Sequence, residues 1–269
     1  MARTSKKRAR QLKHDKFRDT TMGVFDRVGH RMEGRGRTLL YVIAALVLAG
    51  VLAGIYSWWS GRRANEARAA LGHAIEIAEA PVTPSPSPGS TAPTFPTERE
   101  RAQKALEEFE KVAAKYGDPY NDVARFMAAT QLLTVERTRG LSELEKIARS
   151  GNREVAARAR FALAQAREAD AQYDAAATLY QELLKQNEPT IAADTLNLRL
   201  ASVYEKQGKT GEAADILFRM VKAAREAKGK DGKPAPQSDA VRNASEKLET
   251  LDPQRYAQLP PEPPAGFPS

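Results

Sequence analysis

The chain has 269 residues, no cysteine and a formal net charge of +8. That length has room for one or two domains, and the missing cysteine excludes disulfides, thiolate metal sites, cysteine nucleophiles and a lipid anchor on cysteine. The charge does not describe a basic folded domain: residues 1–37 hold twelve Lys or Arg against four acids, and thirty residues of each sign follow.

Residues 1–37 therefore form a basic tail. Its first fourteen residues (MARTSKKRARQLKH) have little to bury, and each Lys or Arg beside an anionic leaflet is worth about 1 kcal/mol. The tail is expected to touch anionic lipid headgroups. No nucleic acid partner is expected, because neither interleaved aromatics nor a recognisable motif accompanies the charge. Phe17, Met22, Phe25, Val28 and Met32 recur near a helical period opposite Arg18, Arg27 and Arg31, which predicts a short interfacial helix ending at Gly34 and Gly36.

Residues 38–60 read as a transmembrane helix. Leu39–Trp59 contains no charge, Pro, Asn or Gln, and at about 1.5 Å per residue such a stretch matches a hydrocarbon core roughly 30 Å thick. Tyr41 stands at one end and Tyr56, Trp58 and Trp59 at the other, as rings at headgroup level do. The basic excess before the span predicts a cytoplasmic N-terminus and an exported C-terminal part. Gly50 and Gly54 form a GxxxG on a small-residue face with Ala45, Ala49 and Ala53, a packing surface for a second helix and so for a homo-oligomer.

Residues 61–80 continue outward as a juxtamembrane helix with Ala67, Leu71, Ile75 and Ala78 on one face. Residues 81–97 are a Pro-rich insertion without the means to form a core. Thr97 and Glu100 make a capping-box start, and the composition then turns to Ala, Glu, Lys, Leu and Arg. Helix follows helix through residues 98–228, with breaks expected at 117–119, 139–140, 150–152, 170–173, 187–190, 208–211 and 229–236. A linker and C-terminal helix occupy 229–252, and 253–269 is a Pro-rich tail expected to be disordered.

Within 98–228 a period emerges. Ala128, Ala164 and Ala201 lie 36 and 37 residues apart, each after a large apolar residue: Met127, Leu163 and Leu200. Second helices follow in phase: Ala176, Tyr180 and Leu183 after Ala164, then Ala213, Leu217 and Met220 after Ala201. This pattern resembles the tetratricopeptide repeat, in which a large–small pair on helix A meets small and large residues on helix B. The spacing is longer than the usual 34. The repeat containing Ala128 reads as having a degenerate second helix, LSELEKIARS. An earlier repeat is read with Leu71-Gly72 as its large–small pair and Ala105, Phe109 and Val112 on its second helix. The fold expected is all-α: one N-terminal transmembrane helix followed by a tetratricopeptide-like α-solenoid.

A basic cytoplasmic tail, one uncleaved span and a few exported repeats together resemble the ancillary SecYEG translocon subunit family. That resemblance implies a single-pass protein of the bacterial inner membrane with a periplasmic domain, touching translocon subunits or periplasmic chaperones. Residues 1–37 and the two Pro-rich segments depart from it.

Nothing in the chain points to catalysis. His14, His30 and His73 are scattered, and HExxH, GxSxG, P-loop and Rossmann glycine patterns are absent. No enzyme, cofactor or metal is expected. Binding is the better expectation, on the concave surface that stacked helix pairs create. Phased on the three alanines, the groove-facing candidates are Asp122, Arg125, Arg158, Phe161, Gln165, Glu168, Leu198, Ser202 and Glu205. The function expected is a membrane-anchored scaffold for other envelope proteins; the alternative is a self-associating structural subunit using Gly50 and Gly54.

Overall fold

A computed structural model of the protein describes residues 36–83, 93–186, 190–229 and 233–262. The interfacial helix expected before Gly34 lies outside these residues, as do the middle of the Pro-rich insertion and the end of the tail. Ten helices make up the regular structure among the described residues, accompanied by two isolated β-bridges and no strands. The chain divides into two compact units, Met1–Asn65 and Glu66–Ser269.

The described part of the first unit is helix α1, Gly36–Glu79, which runs on into the second unit. Every side chain from Tyr41 to Trp59 is exposed, and the helix is long and apolar enough to cross a membrane. Such a surface is stable in hydrocarbon, where the helix satisfies all of its own backbone hydrogen bonds.

The second unit is a solenoid of helix pairs. The end of α1 pairs with α2 (Glu98–Lys115), α3 (Tyr120–Val135) with α4 (Arg137–Ala148), α5 (Arg153–Ala169) with α6 (Tyr173–Leu184), and α7 (Ala193–Lys206) with α8 (Thr210–Glu226). Helix α9 (Asp239–Leu251) and the turn α10 (Pro253–Tyr256) close the array. The phase markers are all buried: Ala128, Ala164 and Ala201 on the A helices, and Ala176, Tyr180, Leu183, Ala213, Leu217 and Met220 on the B helices. Each large apolar side chain of this kind gains about 1.5–3 kcal/mol from burial. Among the described residues no charged side chain is buried.

Helix starts follow local chemistry. Thr97 caps α2 by accepting from the Glu100 amide at 3.2 Å, and its hydroxyl donates to Glu100 Oε1 at 3.1 Å. Asn152, Ser238 and Asp252 cap α5, α9 and α10 in the same way. Two A–B turns close with one device. Gln172 and Lys209 donate backbone hydrogen bonds five residues back, to Arg167 and Tyr204, each at 2.8 Å. The residue before each is left-handed: Ala171 at φ 57° and Gly208 at φ 76°. This is a Schellman-type stop, which favours glycine.

Three expectations need correction. The break expected at 139–140 falls instead at Glu136, and Gly140 lies inside α4. A Cβ on Gly140 would sit 2.7 Å from the Leu133 nitrogen and 2.8 Å from the Leu132 carbonyl carbon. The glycine is there so that α4 can approach the α3 backbone, and it breaks nothing. With that register, Gly140, Leu144 and Ile147 fall 12, 16 and 19 residues after Ala128, the offsets of Ala176, Tyr180 and Leu183 from Ala164. Leu144 and Ile147 are buried, so the second helix of this repeat is regular and not degenerate.

The second correction concerns the first pair. Gly72 is exposed and a Cβ there would meet nothing within 4 Å. The small residues that α1 buries are Ala67 and Ala74. The third concerns the tail. Residues 253–256 form α10, whose first turn is capped by Asp252. Tyr256 and Leu259 then pack on the large core cluster, and the Pro260 carbonyl accepts from Arg225 at 2.7 Å.

Two substitution pairs test this packing in the full chain, read by loss of helical circular dichroism on heating. Gly140→Ala should cost about 1–3 kcal/mol, because backbone and not a flexible side chain must yield. Gly72→Ala should be neutral or stabilise by up to about 1 kcal/mol through helix propensity. At the turns, Ala171→Gly should raise the melting temperature and Gly208→Ala lower it, each by about 1 kcal/mol of stability.

Candidate functional site

The nine groove candidates lie on three successive A helices: Asp122 and Arg125 on α3, Arg158, Phe161, Gln165 and Glu168 on α5, and Leu198, Ser202 and Glu205 on α7. The structure divides them into two groups.

Three of them join one repeat to the next. Asp122 accepts from Asn152 Nδ2 at 2.8 Å, and Asn152 is the residue that caps α5. The same arrangement recurs at the far end, where Ser238, the cap of α9, donates to Asp194 on α7 at 3.0 Å. Glu168 accepts from Lys206 Nζ at 2.8 Å and from the Tyr180 hydroxyl at 3.2 Å. Glu205, one repeat on, pairs with Lys247 of α9 at 2.5 Å. Each carboxylate therefore fixes the position of a neighbouring helix.

Electrostatics around Glu168 fit that role. Burial pushes the Tyr180 hydroxyl well above its ordinary range, and the neighbouring Glu168 charge adds to this. The hydrogen bond to Glu168 raises Lys206 above an ordinary lysine. A raised lysine stabilises fully below its unfolded value and loses that contribution only in alkaline solution, so the link is intact at neutral pH.

The other six remain on the surface of the array. Arg125 and Arg158 are exposed. Arg158 pairs with Glu154 one turn back at 2.6 Å, whereas Arg125 has no ionic partner among the described residues. Phe161 and Leu198 are half-buried and pack on the large core cluster, with Phe161 edge-on to Tyr180 at 6.0 Å. Gln165 and Ser202 are half-buried and have no hydrogen-bond partner among the described residues. Phe161 and Leu198 are 37 residues apart, as are Gln165 and Ser202, so consecutive A helices offer the same apolar–polar pair. The arrangement can hold apolar side chains beside amide and hydroxyl groups that still have hydrogen bonds to make.

Periodic reading of the A helices missed a second feature, built from both helices of the last pair. A depression of about 480 Å³ lies between α7, α8 and the start of α9, and one of about 340 Å³ lies between α6, α7 and α8. Asn197 and Arg219 line both. No motif marks these residues in the sequence. They are found only when α7 and α8 are laid side by side.

Gly50 and Gly54 are open, with nothing within 4 Å of a Cβ built on either. Among the described residues no three His, Asp or Glu side chains are grouped so as to hold a metal ion.

Residues 195–231 match the model of the tetratricopeptide repeat family. The match covers most of α7 and the whole of α8, the last complete A–B pair. No curated protein matches the chain.

The division of the face is testable by mutation. Glu168→Ala leaves a fully buried Tyr180 hydroxyl without its acceptor and should cost about 1–3 kcal/mol. Glu205→Ala removes a more exposed pair and should cost less than about 1 kcal/mol. Melting of the two variants against the parent chain orders them, and equal losses would contradict the separation of roles.

Proposed function

We propose that this protein is a single-span scaffold of a bacterial inner membrane, with a cytoplasmic N-terminus and an exported repeat unit that binds extended segments of other envelope proteins. The observation that carries the binding role is the unspent hydrogen-bonding capacity of Gln165 and Ser202 beside Phe161 and Leu198, on successive helices of a repeat array. The tetratricopeptide match supports a role in protein–protein interaction. The orientation is supported by the charge, since the entire net excess of +8 precedes the apolar stretch. The resemblance in layout to ancillary translocon subunits makes translocon subunits and periplasmic chaperones the first partners to examine.

Cross-linking in intact cells tests the face directly. A photo-reactive residue at Phe161, Gln165 or Leu198 should capture a defined envelope protein, identified by mass spectrometry. The same residue at Glu182, exposed on α6, should not. Equal capture from both faces, or none from the A helices, would sink the reading. The orientation has its own check: protease added to spheroplasts should remove the chain beyond residue 60, and protection of that region would reverse the topology.

A second reading is self-association through the open notches at Gly50 and Gly54. A G50L/G54L chain that no longer self-associates yet keeps its cross-linked partners would reduce this contact to assembly without a part in binding.

A further inference from the structure

Residues 253–260 follow the last full helix of the array and form a strap against α8. The turn into it is abrupt, because Asp252 both ends α9 and caps α10. Near the start of α8, Arg255 donates to the Gly211 carbonyl at 3.2 Å and pairs with Asp215 at 2.5 Å. Near its end, the Arg225 guanidinium lies 5.5 Å from the Tyr256 ring centroid and donates to the Pro260 carbonyl at 2.7 Å. The same guanidinium donates to Ser245 on α9 at 3.3 Å, so α9 holds it in place.

The strap is built unlike the repeats. Helix α9 buries Val241, Ala244 and Leu248, whereas α10 buries no residue. Tyr256 and Leu259 reach the large core cluster and stop half-buried on it. The Arg255–Asp215 pair is open to solvent, with side chains 34% and 60% exposed, and such pairs contribute little. Ordering the strap costs conformational entropy at every residue, and few buried contacts offset it. Segments with this balance open locally at a free energy far below that of global unfolding. Opening uncovers a patch of the core cluster that fits one ring and one aliphatic side chain. Beside it stands Arg225, which has then lost the Pro260 carbonyl as its acceptor.

We infer that residues 253–260 are a tethered self-ligand, an autoinhibitory strap over a peptide site formed by α8 and α9. The site takes a segment of another protein with the strap's own chemistry. That chemistry is an aromatic ring, an aliphatic side chain three residues on and a proline carbonyl next, as in Tyr256, Leu259 and Pro260. The tether keeps the strap at high effective concentration, so the site stays closed to weak ligands and yields to one that fits better. It shares no residue with the A-helix face of Phe161, Gln165, Leu198 and Ser202 and does not depend on what that face binds.

Two measurements on the detergent-solubilised full chain test the strap. The amides of Tyr256, Ala257, Gln258 and Leu259 are all hydrogen-bonded, so their hydrogen exchange reports opening. They should exchange at least about 100-fold faster than amides in the middle of α8. Equal protection would make the strap part of the cooperative fold and end the proposal. The second measurement is fluorescence anisotropy of a labelled peptide that copies residues 252–262. A Y256A/L259A chain, its own strap weakened, should bind the peptide at least about 10-fold more tightly than the parent, whose site is open in only a fraction of molecules. Adding R225A should remove about 10-fold of that affinity. Equal binding by the parent and Y256A/L259A, or a gain that R225A leaves untouched, would put the peptide elsewhere and overturn the site. Absence of binding to a Y256A/L259A chain that still melts cooperatively would overturn it too. A Y256A/L259A chain that does not fold would show that the strap holds the fold, and the proposal would fail.

Discussion

The repeat unit depends on how closely helix backbones can approach, and that distance is set by small residues at one recurring position. Twelve residues after each phase marker stand Gly140, Ala176 and Ala213. At Gly140 even a methyl group would overlap the backbone of the facing helix. The neighbouring positions are filled by Leu144, Tyr180 and Leu217, all fully buried. The small residue lets the helices meet, and the large one four residues later fills the space that the meeting encloses. Interiors packed to crystal-like density tolerate neither a gap nor an excess at such points. This is why the same two size classes return with each turn of the array.

Apolar packing joins successive pairs as well as the helices within each pair, since one core cluster runs from Ala157 on α5 to Leu248 on α9. Polar contacts at the edges of the A helices add to it: Asp122 with Asn152, Asp194 with Ser238, Glu168 with Lys206, and Glu205 with Lys247. Two of them use a capping side chain twice, once for its own helix and once for the preceding A helix. The consequence for recognition is a narrower and less charged face than the candidate residues imply taken together. Among the described residues of the repeat unit, Val82 is the one large hydrophobic that is exposed. A partner therefore meets no broad apolar patch of the sort that marks a protein–protein interface. It meets half-buried Phe161 and Leu198 flanked by amide, hydroxyl and guanidinium groups. Such a surface suits an extended chain, whose own backbone carries donors and acceptors at every residue.

Periodicity made much of this legible in the sequence. Buried alanines at 128, 164 and 201 and the aromatic at 180 announce themselves by spacing and size, and the Thr97 cap by its side chain. What could not be read are features whose meaning depends on a partner distant in sequence. Gly140 looks like a breaker beside Arg139, yet its role is set by the backbone of Leu132 and Leu133. Gly72 looks like a packing residue beside Leu71, yet it faces outward. Glu168 has the phase of a groove residue, and only the arrival of Lys206, 38 positions later, commits it to structure. Phase says which way a side chain leaves its helix. It cannot say whether a neighbouring repeat has already claimed it.

The first repeat shows how much of the register survives a large insertion. In the later repeats 12 residues separate the small residue of helix A from that of helix B; Ala74 and Ala105 are separated by 31. Loop closure grows only with the logarithm of length, so lengthening a turn from a few residues to about eighteen costs about 1–2 kcal/mol. The base of the insertion is held from both sides. The Thr83 amide donates to the Phe95 carbonyl at 2.9 Å, the Phe95 amide to the Pro81 carbonyl at 3.1 Å, and Arg101 to the Ala80 carbonyl at 3.3 Å. The Phe95 side chain packs on the cluster formed by Ala74, Ile77, Ala105 and Phe109. With its neck built into the core, the insertion leaves the end of α1 packed on α2 through Ala74, Ile77, Ala105 and Phe109. The end of α1 thus packs as a repeat helix does, with Ala67 and Ala74 as its buried small residues.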